Sequence, residues 1–501
     1  MRSRQERHLQ SILRNDTTPA LQMLAKTSLT AMPFETAPAR LSAPQQMISP
    51  EFNGHQYAIF LLHVDAGIEH ALMVQYLYAA YSMGGPHVPP EHAATVERWQ
   101  ETILGIAKEE MGHLITVENV LRLLSGPLNL DREDFPFDAG FYPFTFTLER
   151  LTLDSLAKYI YAEMPADWTG PLATEVKRRA EEANKGKPLH AVHELFDLMI
   201  ATIADPELVP DEYFRPETVA QQASWSEWGR GYAHGARGSE LQRDQPRTPD
   251  LIIRTVDSRA TAVDALHAIA EQGEATTMIM RERSHFERFL RIYVEWSEIL
   301  KKDKRFDPAR PVVKNPVVED SLRNHPEKIS DDDCDRNVIT APLTFYWAHL
   351  LNIRYRLLLS ALNHALHLSG ALRSTKQPTA RGDVLTLIFS EMYKIRSLAG
   401  VLVQLPVREG TPPEKASAGP PFQMPYTLAI PQGEDDRWRW HRDMLYASRK
   451  ILDILFVLEP DARRKSYAAA LRQADVELIE VMDRLIAREN ATSEKEAEVL
   501  S

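Results

Sequence analysis

Four segments of this chain carry an apolar helical stripe that directs one carboxylate inward, and two of the four add a histidine. In IAKEEMGHLITVENVL, the residues Ile103, Ile106, Glu110, His113 and Val117 follow 3-4-3-4 steps, so Glu110 and His113 lie on the face that must point into a core. Residues three apart on a helix are separated by a ~4.5 Å rise and share a face, so a carboxylate oxygen and an imidazole nitrogen can reach one ion. Glu109 falls off that stripe and is expected in solvent. In an earlier helix Leu62, Ala66, Glu69, Met73, Tyr76 and Ala80 run 4-3-4-3-4. In a shorter one Leu153, Leu156, Ile160 and Glu163 run 3-4-3. The last gives Met278, Glu282, His285, Phe289 and Ile292, a second Glu-x-x-His in the same relation to its stripe.

A buried, unpaired carboxylate costs several kcal/mol unless it is protonated, paired or metal-bound. Two divalent ions would neutralise four such groups, and two imidazoles complete a hard O/N ligand set suited to iron or manganese. One Glu from each of two helices plus Glu-x-x-His from each of two others is the known pattern of di-iron and di-manganese carboxylate bundles. A lone Glu-x-x-His is ordinarily a surface pair; two on core stripes, with two more inward Glu residues, are not. The expected ligands are Glu69, Glu110 and His113 for one ion and Glu163, Glu282 and His285 for the other, with Glu110 and Glu282 as bridges. Glu69, Glu110 and Glu282 are the carboxylates expected to act in catalysis. Two alternatives stay open. Glu194 rivals Glu163, although it lies away from the Val192, Phe196, Met199 and Ile203 face. Glu274 rivals Glu282, but it stands eleven residues before His285, roughly 16 Å along a continuous helix, and could share an ion only if the helix breaks after Gly273.

Composition agrees with a metal held by oxygen and nitrogen. Cys334 is the single cysteine, which excludes thiolate metal sites and disulfide frameworks. The 58 basic and 70 acidic residues give a net charge of −12, with no basic footprint for nucleic acid. Glycine, 21 of 501 residues, falls below the usual ~7% and suits long helices. At roughly 150 residues per domain the chain holds two or three domains. The reading is all-α throughout. An N-terminal extension is expected over 1–50, and a bundle over 51–301 with a long excursion at 205–258. A Pro/Asp-rich linker should follow over 302–340, then a second helical domain over 341–501. Helical patterns cover 55–83, 91–125, 153–163, 189–204, 260–301 with a break near Gly273, 341–369, 383–405 and 435–495. The densest apolar run, Tyr57 to Val64, is far shorter than the ~20 residues of a membrane helix. A cytoplasmic protein without membrane or nucleic-acid partners is therefore expected.

Other motifs carry less. His364 and His367 stand three apart without an inward Glu and read as satisfied or exposed histidines. GRGYAHGARG lacks the strand–helix context of a dinucleotide fingerprint and reads as a loop. Asp331 to Asp333 with Asp335 reads as a solvated acidic linker. Tyr76 and Tyr159 read as packed aromatics that could line a cavity.

The segments LLHVDAGIEHALMVQYLYAAYSM, IAKEEMGHLITVENVLRLLSGPLNL, YIYAEMP, EQGEA and SHFERF, in that order, resemble the ferritin-like family that includes the iminophenyl-pyruvate dimer synthases of bisindole pigment biosynthesis. The likeness is strong over about 55–300 and weak onward to about 480. In that family the counterpart of EQGEA is QGEG, followed by a loop before the SHF element. Here Ala275 replaces the last glycine, and the choice between Glu274 and Glu282 stays open. The resemblance implies a ferritin-like four-helix bundle with a second helical domain and a metal-dependent oxidative activity in secondary metabolism. The specific reaction it favours is oxidative coupling of amino-acid-derived imines. The chain is about half as long as the pigment-pathway enzymes, so their substrate is not carried over. The expected function is a non-haem di-iron, or di-manganese, oxidase or oxygenase that activates O2 on a small organic substrate, with room for a homo-oligomer. The competing readings are an iron-handling or peroxide-removing protein and a degenerate structural bundle.

Overall fold

The computed structural model describes residues 51–228, 253–274, 283–319, 336–368 and 380–500. The expected extension over 1–50, the GRGYAHGARG loop, Glu282 and the acidic run around Cys334 lie outside the described residues.

Helix α1 (Gly54–Ser82) starts on a capping box, in which Asn53 accepts from the Gln56 backbone and Gln56 accepts from the Asn53 backbone. Such a cap stabilises a helix start by about 1 kcal/mol. The helix stops where Gly84 and Gly85 take positive φ angles, at 76° and 132°. The short connection folds α2 (Pro90–Leu123) back along α1, and Pro90 occupies the first turn of α2, where a missing N–H costs nothing. By length and composition α1 could cross a membrane, with a window of mean hydropathy 1.3, but 83% of that window is buried inside the protein. The expectation drawn from Tyr57–Val64 is thus corrected. Asp65, Glu69, His70 and Gln75 interrupt the apolar run, yet all four are buried as well, so the whole helix is core.

Helix α3 (Leu153–Ala162) begins on a second capping box, between Thr152 and Ser155. It packs on α4 (Pro171–Ala183), which the sequence reading missed because its buried stripe consists of only Ala173, Val176 and Ala180. Helix α5 (Val192–Ala204) packs on α1 and on α6 (Arg259–Glu274), and α7 (His285–Lys302) touches α2, α3 and α6. The region expected to be helical over 260–301, with a break near Gly273, contains two described helices.

The C-terminal helices are α8 (Pro342–His367), α9 (Ala380–Leu402), α10 (Glu434–Leu458) and α11 (Ala462–Leu500). Helix α8 packs on α9 and α10, α10 pairs with α11, and α9 reaches α1. Arg354 of α8 is fully buried, bonded to Asp475 at 2.6 Å and to Ser448 at 2.9 Å, with Glu391 at 3.4 Å. These partners satisfy a charge that could not otherwise sit there. The segment after α7 straps the two helical groups together. Arg310 donates its backbone N–H to Ser82, and Val313 to Ser417. The two-residue parallel strands β1 (Pro316–Val317) and β2 (Asn337–Val338) are the only strand pair among the described residues.

Candidate metal centre

Five of the expected ligands converge. Glu69 comes from the middle of α1, Glu110 and His113 from α2, Glu163 from the C-cap of α3, and His285 from the first residue of α7. All five are buried. The His113 Nδ1 atom lies 3.4 Å from Glu69 Oε2 and 3.3 Å from Glu110 Oε2. The His285 Nδ1 atom lies 2.9 Å from Glu110 Oε1 and 3.6 Å from Glu163 Oε2. Ligand atoms of Glu69, Glu110 and His113 lie within 4.8 Å of one another, and so do those of Glu110, Glu163 and His285. Glu110 is common to both groups and turns one oxygen to each imidazole. The two rings are 5.4 Å apart between centroids.

The far nitrogen of each ring fixes its tautomer. His285 Nε2 lies 2.7 Å from Glu109 Oε2, and that carboxylate also accepts two bonds from the Arg288 guanidinium. His113 Nε2 lies 2.9 Å from Gln272 Oε1. Both partners are acceptors, so each Nε2 carries a hydrogen, and each Nδ1 lone pair faces carboxylate oxygens. Two acceptors 2.9 Å apart require a cation between them, either a proton or a metal. Glu69 Oε2, Glu110 Oε1 and His285 Nδ1 are buried without a hydrogen-bond partner. An Nδ1 turned to carboxylates with the opposite N–H anchored on an acceptor is the usual arrangement of a metal-binding histidine, so the donor set fits bound metal.

Electrostatics point the same way. Burial alone would lower the pKa of His113, but Glu69 and Glu110 outweigh it and raise it to about 10. His285 is likewise raised well above its ordinary value, with Glu110 the main opponent of burial. Burial and the Glu110 charge push Glu69 well up, whereas the two imidazoles overcome burial to hold Glu110 well down. Without metal, the centre holds its carboxylates by keeping protons on the rings.

Several expectations are corrected. Glu109 is fully buried rather than solvated, because α7 covers that side of α2 and supplies His285 and Arg288. Nearly every residue of α2 from Ile106 to Leu121 is buried, so a single stripe could not separate inside from outside. Helix α7 starts at His285 behind its N-cap Ser284, whose ψ is 166°, and Glu282 lies outside the described residues. Glu274 is the last residue of α6. Glu194 stands at the surface, half exposed and paired with His190 at 3.3 Å. His364 is buried against His441 and Glu434, while His367 is exposed, so these two do not form a site together. Tyr76 donates to Glu163 Oε1 at 2.6 Å, and its ring packs against Tyr159 and Phe289. The sequence reading missed Gln272, Arg288 and Asp65. Asp65, one turn before Glu69, is fully buried with neither oxygen hydrogen-bonded. Burial pushes its pKa to about 8, with His113 opposing and Glu110 adding. Its signal was the four-residue spacing to Glu69.

The family model described as Ferritin-like matches residues 62–294. The chain is 27% identical over 403 residues to dichlorochromopyrrolate synthase of Lentzea aerocolonigenes, a match covering 71% of this chain and 35% of that protein. It is 25% identical over 312 residues to 2-imino-3-(indol-3-yl)propanoate dimerase of Chromobacterium violaceum, covering 56% of this chain and 27% of that protein. The match thus spans about a third of the length of these curated relatives. No solved structure matches the chain. The stretch that matches the Ferritin-like model contains all five converging ligands.

Proposed function

We propose that this protein is a di-iron, or di-manganese, carboxylate oxidase or oxygenase acting on a small aromatic, amino-acid-derived substrate. The observation that carries the reading is the shared Glu110, whose two oxygens each face an imidazole Nδ1 inside a closed set of carboxylates. Glu69, Glu110 and His113 would hold one ion, and Glu110, Glu163 and His285 the other. For the remaining carboxylate the reading favours Glu274 over Glu282. A Cβ at Gly273 would lie 3.1 Å from Glu163 Oε2, which sets the end of α6 against the centre, and Glu274 is the next residue.

Bound there, the ions would supply the redox chemistry needed to use O2. The chain's own residues do the rest. Glu109, anchored by Arg288, holds the His285 ring, and Gln272 holds that of His113. The Tyr76 hydroxyl fixes one oxygen of Glu163. Leu62, Ile106, Ile160 and Phe289, on the helices that carry the ligands, are fully buried and add apolar surface that bulk water does not reach. The names of the two relatives, a chromopyrrolate synthase and an indolyl imino-acid dimerase, support a substrate that joins an aromatic ring to an imino-acid carboxylate.

Anaerobic iron loading followed by metal analysis, with anomalous scattering at the iron and manganese edges, tests the proposal. Two tightly held ions per chain at these residues are expected. Fewer than one per chain would overturn it.

A further inference from the structure

An apolar cavity of about 160 Å³ lies between the α1–α2 pair and helices α8 and α9. Met73 and Met111 form part of its wall, the first one turn from Glu69 and the second beside Glu110; Leu358 and Phe389 face them from α8 and α9. A cavity of about 150 Å³ lined by aliphatic and aromatic side chains stays dry and takes up a benzene ring. This one is the same size, and its methionines can repack around a flat ligand.

The polar lining is one-sided in charge. Lys108 and Arg396 both contribute to it, and no Asp or Glu does among the described residues. Arg396 pairs with Glu101 at 2.7 Å, with both side chains more than half exposed, which makes a weak and exchangeable contact. Tyr393, 59% exposed, also contributes to the lining. An apolar chamber with cationic lining groups matches a ligand that has a planar ring at one end and an anionic group at the other.

We infer that this cavity binds an aromatic carboxylate, with its ring between Met111 and Leu358 and its carboxylate at Arg396 and Lys108. The ligand's role as substrate rests on the oxidase reading above; its binding does not. The test is calorimetric titration of the metal-free full chain with indole-3-propionate, indole and propionate as probes. Saturable one-to-one binding of indole-3-propionate is expected, with none for propionate. Leu358→Trp, which fills the chamber, should weaken indole-3-propionate binding at least about tenfold. Arg396→Ala should weaken it several-fold and leave indole unchanged. The arginine variant alters only a surface group and keeps the test valid if the tryptophan variant does not fold. Absence of saturable binding to the wild-type chain, or binding indifferent to both substitutions, overturns the inference. Metal content measured in parallel separates the two proposals: binding without metal uptake sinks only the oxidase reading, and metal uptake without binding sinks only this one.

Discussion

Replacing Glu109 by Gln tests whether the residue beyond the ligands governs the centre. Glu109 is fully buried and accepts from His285 Nε2 at 2.7 Å and from Arg288, whose side chain is 16% exposed. Burial would raise its pKa, but Arg288 and His285 outweigh it and lower it. A lowered carboxylate contributes stability that is fully present above its unfolded value and lost as pH falls through the folded one, so between pH 5 and 8 the effect of the substitution should be flat. Removing one partner of a buried ion pair costs ~3–5 kcal/mol. Glutamine keeps one acceptor, and Arg288 has some access to water, so about 2 kcal/mol is the expected loss of stability. The second effect is on the metal. A group that orients a ligating histidine commonly contributes about 10–100-fold in affinity, or roughly 1.4–2.7 kcal/mol. Chelator competition with manganese or ferrous iron reads the affinity, and thermal unfolding of the metal-free protein reads the stability. A variant that melts several degrees lower but binds metal within about threefold of wild type would refute the argument that Glu109 orients His285 for a metal.

Further outcomes follow from the same geometry. Because His113 is raised to about 10 without metal and His285 is raised as well, and metal binding needs neutral imidazole, titrating metal into weakly buffered protein at pH 7 should release about one proton from each ring; no release would count against both ligands. The same raised value means that the stability His113 gives the metal-free protein is complete below its unfolded value of 6.5 and declines as pH rises toward 10. Asp65→Asn should stabilise the metal-free protein, since a carboxyl raised from 3.8 to about 8 contributes full stability only below the lower value; the gain in melting temperature should be larger at pH 8 than at pH 5, and an equal gain at both would contradict it. Gly273→Ala places a methyl group 3.1 Å from Glu163 Oε2 while adding helix propensity of up to ~1 kcal/mol; metal affinity should fall about tenfold with the metal-free melting temperature unchanged or higher, and unaltered affinity would mean that the end of α6 is not part of the centre.

The convergence of Glu69, Glu110, His113, Glu163 and His285 was legible in the sequence because a carboxylate on an apolar stripe contradicts the stripe, and the contradiction repeats on separate helices. The all-α fold was legible for the same reason. What escaped belongs to surfaces that a single helix does not encode. Glu109 looks exposed on α2 alone, and is buried because α7 covers it. Gln272 meets His113 only through the packing of α6 on α2. Helix α4 hides behind a stripe of two alanines and one valine, too small a hydrophobic signal to register, although it suffices to dock the helix on α3. The apolar chamber between α1–α2 and α8–α9 has no local pattern at all, because its walls come from residues nearly 300 positions apart.

The fourth corner of the centre shows how a local rule and a tertiary demand are reconciled. A continuous helix from Arg259 to Lys302 would put Glu274 roughly 16 Å from His285 and leave Glu282 as the partner. Instead α7 begins at His285 behind a Ser284 cap whose hydroxyl accepts from the Glu287 backbone, so α6 and α7 do not form one continuous helix. Each helix thus offers residues to the site. The end of α6 brings Gln272 onto His113 and Gly273 against Glu163, and the start of α7 brings His285 onto Glu110. At Gly273 a side chain would press on Glu163 within about 3 Å, so glycine there allows α6 to approach Glu163 closely. Under the proposed reading, Glu274→Gln should remove metal from the wild-type stoichiometry while Glu282→Gln should not. The reverse result would restore Glu282 as the ligand and require the intervening segment to fold back over the centre.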